Sequence, residues 1–305
     1  MSQLTTRPQE NAAGAGPNAA RTRSAAAVSR RRGPASRSQR SAREGGKGGS
    51  IAAHTTWMTG RQLKAIARQP AYVVIMLIQP VIWLFLFGSL FRRVVELPGF
   101  GTASYLDYLV PGVVIMSALS ASMWSGMTVL EEIDRGIMDR FLVLPLHRSA
   151  IINASAALQS LVIAVQSVII VLLGWAGAAH YAGGVPGLIV LIAAAVLIAI
   201  LFSAFSNTVG MLARQRETII GINSFLLLPL TFLSTAFMPK ELMPHWMQIV
   251  ASCNPVNWAL EAGRSAMTAN PDWARVAVQG GGLALLAIAV TALSVLMFRS
   301  FQKSV

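Results

Sequence analysis

The 305-residue chain has a single cysteine, Cys253, and four histidines. It therefore has no internal disulfide and no Cys/His set of the kind that holds structural zinc. Charge is scarce as well. Asp, Glu, Lys and Arg make up 12% of the residues while 54% are hydrophobic, against the ~25% charged content of a soluble globular chain. Mean hydropathy is +0.57, and a membrane protein is the expected class. Catalytic signatures are missing too. There is no HExxH and no GxSxG, and the glycine-rich "GGKGGS" at 45–50 lacks the GxxxxGK[ST] spacing of a phosphate loop. The first fifty residues contain no apolar run long enough for a secretory signal. The chain is not expected to be an enzyme, and ATP hydrolysis is not expected within it.

What charge there is lies unevenly. Ten of the 25 Lys/Arg fall in residues 1–50, opposed only by Glu10 and Glu44. This tail is rich in Ala, Arg, Ser and Gly, too poor in apolar residues to offset the entropy of ordering, and is expected to be disordered. No aromatic residue interleaves with its arginines, so the reading is a cytosolic tail touching anionic lipid and not a nucleic-acid binder. Next, Arg61, Lys64 and Arg68 share one helical face opposite Leu63 and Ile66. That pattern predicts a short basic amphipathic helix on the membrane surface, ended by Pro70.

Residues 51–305 are expected to form one all-α membrane domain. Six apolar segments, at 72–91, 108–130, 150–178, 187–212, 219–237 and 280–298, approach the ~20 residues needed to cross a bilayer. Segments spanning lipid with this composition must be helices. The tail, its surface helix and the Lys/Arg bias of the connecting loops place both termini in the cytoplasm. In this assignment Arg264 counts among the outside loop charges.

Inside the six segments there is no Asp, Glu, Lys or Arg. Proton- and ion-coupled transporters commonly hold such groups at membrane depth, so energy is expected to enter from outside the spans. The interior polar residues are neutral: Asn153, Gln159 and Gln166, then Asn207 and Asn223. Hydrogen bonds between packed helices account for these. Met116, Met123 and Met127 follow one face of the second segment, a flexible surface for varied apolar ligands or ordinary packing. The largest charged feature in the folded part is "VLEEIDRGIMDRFLVLPLHRS", 129–149.

Two stretches carry a resemblance. One runs from Pro111-Gly112 through Gly126 into the acidic residues, Gly136, Arg140 and Pro145. The other holds Pro239, Pro244, Trp246, Asn254-Pro255 and Arg264. Together with "RQPAYVVIMLIQPVIWLFLFGSLF", they resemble the permease subunits of type-2 ATP-binding-cassette (ABC) transporters, particularly the bacterial daunorubicin and multidrug exporters. The likeness covers about residues 55 to 303; the long tail departs from it.

The resemblance implies a dimeric six-helix permease, made with a second copy or a paralogue, in the bacterial plasma membrane. Two cytosolic ATPase subunits would dock on it and would hold the ATP and Mg²⁺, leaving this chain without a cofactor. Glu131, Glu132, Asp134, Arg135, Gly136, Asp139 and Arg140 would form the coupling helix on the ATPase. A patch of both charge signs suits such docking, and the Glu131–Arg135 and Arg135–Asp139 spacings would stiffen it. Met116, Met123, Asn223, Phe225 and Phe232 would line the substrate path of an amphipathic, drug-like cargo. Short re-entrant outer helices before the last span would carry Trp246, Asn254, Pro255 and Trp258 as an outer gate. A polysaccharide or lipid export permease is the alternative within the class, and a secondary transporter or channel the alternative outside it.

Overall fold

A computed structural model describes residues 70–96, 104–134, 148–213 and 215–301. The basic tail, all of the expected surface helix at 57–70 but Pro70, and the segment 135–147 lie outside the described residues. Every regular element among those described is helical. The first is α1, Pro70–Ile82, continued by a π-helical turn Trp83–Phe87 and a last turn Gly88–Leu90. A 3₁₀ turn Arg92–Glu96 follows. Then come α2, Tyr105–Met123; α3, Ser125–Asp134; α4, Arg148–Ala176; and α5, Gly184–Ala213. The chain ends with α6, Arg216–Phe232; two short helices, α7, His245–Cys253, and α8, Pro255–Met267; and α9, Trp273–Phe301.

Helices stand at all six expected places, and among the described residues four stretches are long and apolar enough to cross a membrane: 105–131, 159–176, 184–213 and 273–297. The boundaries move for local reasons. The fifth expected segment ran to residue 237, but α6 stops at Phe232 and 233–239 is irregular. The last expected segment began at 280, whereas α9 starts at Trp273. The second is broken at Trp124. Pro70, expected to end a helix, is itself the first helical residue described.

α5 is the central post, packed on by α2, α3, α4, α6, α8 and α9. Its sequence is apolar around the whole circumference, as a helix buried on several sides must be. α1, α6 and α9 carry large apolar side chains on their outer faces, among them Ile75, Leu90, Phe225, Leu285 and Ile288. These faces suit lipid or another transmembrane helix, since water would penalise them.

At two helical irregularities a freed backbone carbonyl is taken up by a neighbouring helix. Pro80 has no N–H to give the carbonyl four residues back. That carbonyl, of Met76, instead accepts from Nε2 of Gln166 on α4 at 3.4 Å. At the α2–α3 break, Met127 N–H turns to the Trp124 carbonyl at 3.1 Å, which releases the carbonyl of Met123. Ser206 Oγ on α5 and Asn223 Nδ2 on α6 both donate to that released carbonyl. Gly126 N–H donates back to Ser206 Oγ at 3.0 Å. A single serine thus bridges both strands of the elbow.

Candidate functional site

The first candidate region lies at the end of α3. This helix leaves the elbow as a short rod of ten residues. A Cβ on Gly126 would stand 2.2 Å from the Ser206 carbonyl oxygen, and one on Gly210 would stand 2.6 Å from the Gly126 oxygen. The close crossing therefore requires small residues on both helices, as small-xxx-small contacts between membrane helices do. Of the expected coupling residues, Glu131 is half-buried near the end of α3. Asp134 is exposed and pairs with Arg216 of α6 at 3.5 Å, an ion pair worth about 0–1 kcal/mol at such exposure. Glu132 belongs to α3. Arg135, Gly136, Asp139 and Arg140 lie outside the described residues.

A second region is a cleft of about 250 Å³ between α1, α2 and α6. Gln79, Trp83, Val113, Met116, Ser117, Ser120, Leu227, Leu228, Thr231 and Phe232 line it. The wall is apolar and aromatic with a few neutral hydrogen-bonding groups, the usual make-up of a small-molecule pocket. Of the five expected path residues, Met116 and Phe232 face it. Met123 is buried in the core, and Asn223 is buried with its Nδ2 donating to the elbow. Phe225 points outward, 77% exposed. Met116 and Met123 share α2, with Met116 at the cleft and Met123 two turns on in the core, and the break at Trp124 sets Met127 apart on α3.

The third region is the polar end of α8. Asn254 is its N-cap, with Oδ1 accepting from Val256 N–H at 2.9 Å, and Pro255 is the first helical residue. The Asn254 amide also donates to the carbonyls of Leu230 and Leu233 at 2.9 and 3.1 Å, tying α8 to the end of α6. Replacing Asn254 by alanine should lower stability by about 1 kcal/mol for the cap, with more for the two released carbonyls. A thermal-unfolding series in detergent checks it. Trp258 donates its indole N–H to the Ser252 carbonyl at 2.7 Å, while Trp246 is 58% exposed. Behind them, Asn257 Oδ1 accepts from Thr235 N–H and Oγ1, and Asn257 Nδ2 donates to Glu261 at 2.7 Å. Gln279 of α9 donates to the other Glu261 oxygen at 3.0 Å.

Arg264, counted above among the loop charges, lies on α8 and completes this network. Its Nη1 donates to Tyr108 Oη at 2.9 Å and to the Thr235 carbonyl at 2.6 Å. Its Nη2 donates to the Ala236 carbonyl at 2.9 Å and the Tyr108 carbonyl at 3.2 Å. The guanidinium carbon sits 3.6 Å from the centre of the Tyr108 ring. The signal was present in the sequence: Asn257, Glu261 and Arg264 at i, i+4, i+7 form one polar face on an otherwise small, apolar helix.

Beside this end, the loop between α4 and α5 is fastened to α2 and α8. His180 N–H donates to Asp107 at 2.7 Å, and Gly183 N–H to the Met267 carbonyl at 2.8 Å. Burial, with the Asp107 carboxylate adding to it, raises the Tyr181 hydroxyl above the ordinary phenol range. It therefore stays protonated and donates to the Val171 carbonyl at 2.9 Å.

Comparison with known proteins fits this architecture. The family model described as ABC-2 type transporter matches residues 53–268. A daunorubicin resistance ABC transporter permease protein, DrrB1 of Streptomyces coeruleorubidus, is 28% identical over 68% of this chain and 72% of its own. A putative transport permease, ycf38 of Porphyra purpurea, is 32% identical over 68% and 70%. The probable doxorubicin resistance permease DrrC of Mycobacterium tuberculosis is 21% identical over 72% and 78%. With a family match across most of the chain and the apolar helices it requires, this protein belongs to the ABC-2 type transporter family, as a membrane permease subunit.

Proposed function

We propose that this permease is an exporter of uncharged or amphipathic, drug-like compounds, energised by a separate cytosolic ABC ATPase that docks on residues 131–140. The working unit pairs two permease copies, or this chain with a paralogue. It crosses the bacterial plasma membrane six times, both termini inside, and ATP and Mg²⁺ bind to the ATPase. The observation that carries the reading is the shared Met123 carbonyl. Ser206 and Asn223 both hold it, so a displacement of α3 is passed to α5 and α6 together. Asn223 sits one helical turn before Leu227, which lines the cleft. A push at the charged segment therefore reaches the cleft wall through backbone and hydrogen bonds, without any ionisable group inside the spans. The cleft's neutral lining favours cargo with apolar bulk and a few hydrogen-bonding groups.

Reversing charge with Glu132→Lys and Arg135→Glu tests the docking. Membrane insertion should be retained while co-purification of the ATPase falls by about tenfold or more, since opposed charges at an interface discriminate strongly. Unchanged association and export would sink the docking assignment. Export by the chain alone in vesicles, driven by an ion gradient, would point to a secondary transporter instead. Competition of polysaccharide or lipid against drug-like probes in substrate-stimulated ATPase assays separates the cargo classes.

A further inference from the structure

Between α6 and the 3₁₀ turn Lys240–Leu242, residues 233–239 are irregular yet partly buried, with Ser234, Thr235 and Ala236 inaccessible. Backbone that is neither helix nor strand is tolerated in such a place only if its polar groups are taken up by the protein. Here three consecutive carbonyls are taken up. Arg264 and the Tyr108 hydroxyl both donate to Thr235, Arg264 to Ala236, and the Tyr105 hydroxyl to Phe237 at 3.3 Å. A planar guanidinium can span two adjacent carbonyls and a tyrosine hydroxyl at once; a lysine ammonium cannot.

The residue delivered by this clamp is Phe237. Its ring stacks on Trp83 at 5.2 Å and Phe87 at 5.3 Å, and meets Phe232 at 6.2 Å. Trp83 and Phe232 are also walls of the cleft, and Phe232 ends the helix that Asn254 at the start of α8 ties down through the Leu230 and Leu233 carbonyls. Phe91 and Tyr105 extend the aromatic layer beyond it. Trp83 and Phe87 come from the π-helical turn, a local distortion often found where function demands it.

We propose that Arg264 is the positioning residue for an aromatic lid, centred on Phe237, that closes the outer end of the cleft. This rests on reading the cleft as the cargo path. Opening the cleft outward would slide the Thr235 and Ala236 carbonyls off the guanidinium, so Arg264 sets how readily the exit opens.

The test uses the full chain with its ATPase in nucleotide-free vesicles. The exposed Cys253 is replaced by serine and Met116→Cys is introduced. A membrane-impermeant maleimide is applied from the lid's side. Arg264→Lys should speed labelling by about tenfold, the shift expected from losing one charge-assisted hydrogen bond. Phe237→Ala, which keeps the clamp but removes the lid, should do the same. Ile198→Cys, in the core, should stay unlabelled in each. If Arg264→Lys does not insert, Tyr108→Phe, which strips one donor and one acceptor from the same clamp, carries the test. Slow labelling in Arg264→Lys or Phe237→Ala overturns the proposal, as does faster labelling of Ile198→Cys, which marks general loosening. Labelling itself needs no export. If it accelerates as expected but modified Met116→Cys exports normally, the cargo-path reading fails and the lid stands.

Discussion

Replacing Gly126 by valine should abolish coupled export and lower the thermal midpoint well below that of the parent. Even the first carbon of the new side chain would meet the Ser206 carbonyl at 2.2 Å and its hydroxyl at 2.8 Å. A side-chain tip could rotate away, but a backbone oxygen on the central helix cannot, so α3 must lift from α5. Overpacking of this kind costs about 1–3 kcal/mol, with more when backbone must move. Lifting α3 also breaks the Gly126–Ser206 hydrogen bond and withdraws the Met123 carbonyl from Asn223. Gly221→Ala is the matched control. It lies in α6 with no atom near its Cβ position, and alanine in a helix interior should add about 0.5–1 kcal/mol. Thermal unfolding with ATPase-driven cargo uptake in inverted vesicles reads both. A Gly126→Val chain as stable and active as the parent would remove the elbow from the coupling route.

Arg264→Leu has the other large expected effect, on stability before transport. Leucine matches the apolar stem but supplies none of the five donations to Tyr108, Thr235 and Ala236. The Thr235 carbonyl keeps its bond from Tyr108 at 2.6 Å. The Ala236 carbonyl, fully buried, loses its clamp, at about 1–3 kcal/mol for an unsatisfied buried acceptor. Relief from burying a charge offsets part of this, so the expected result is a lower melting midpoint in detergent with insertion retained. A rise in the midpoint would show that the buried cation costs more than its clamp returns.

Much of the architecture could be read from composition and pattern. Apolar runs near bilayer length announce α2, α4, α5 and α9, because lipid leaves a backbone no option but to pair within itself. The Asn254-Pro255 pair marks the start of α8 for an equally local reason: one side chain accepts from the second helical N–H, and the next residue has no N–H to satisfy. The charged patch at 129–149 also stood out in an oily chain, before any fold was known. Helix ends were less legible. α6 stops at Phe232 although the apolar run continues to Phe237, because Thr235 and Ala236 find better hydrogen-bond partners on α2 and α8 than along their own helix.

The candidate site divides along the same line. Local spacing put Met116 and Met123 on one face of α2, and only the packing of the neighbouring helices makes one a cleft wall and the other core. Asn223 was legible as an interhelical donor, but its acceptor, a carbonyl freed a hundred residues away, was not. Arg264 shows the limit most plainly. By sequence it could be placed on the polar face of a short helix, but its partners could not be named; the fold surrounds it with Tyr108, Thr235 and Ala236 from two distant segments. Sequence by itself determined the membrane class, the main helices and the lack of internal charge, since these depend on each residue's preference for lipid or water. Tertiary structure alone decided the elbow, the clamp and the aromatic layer, since each needs donors and acceptors that meet only after the helices pack.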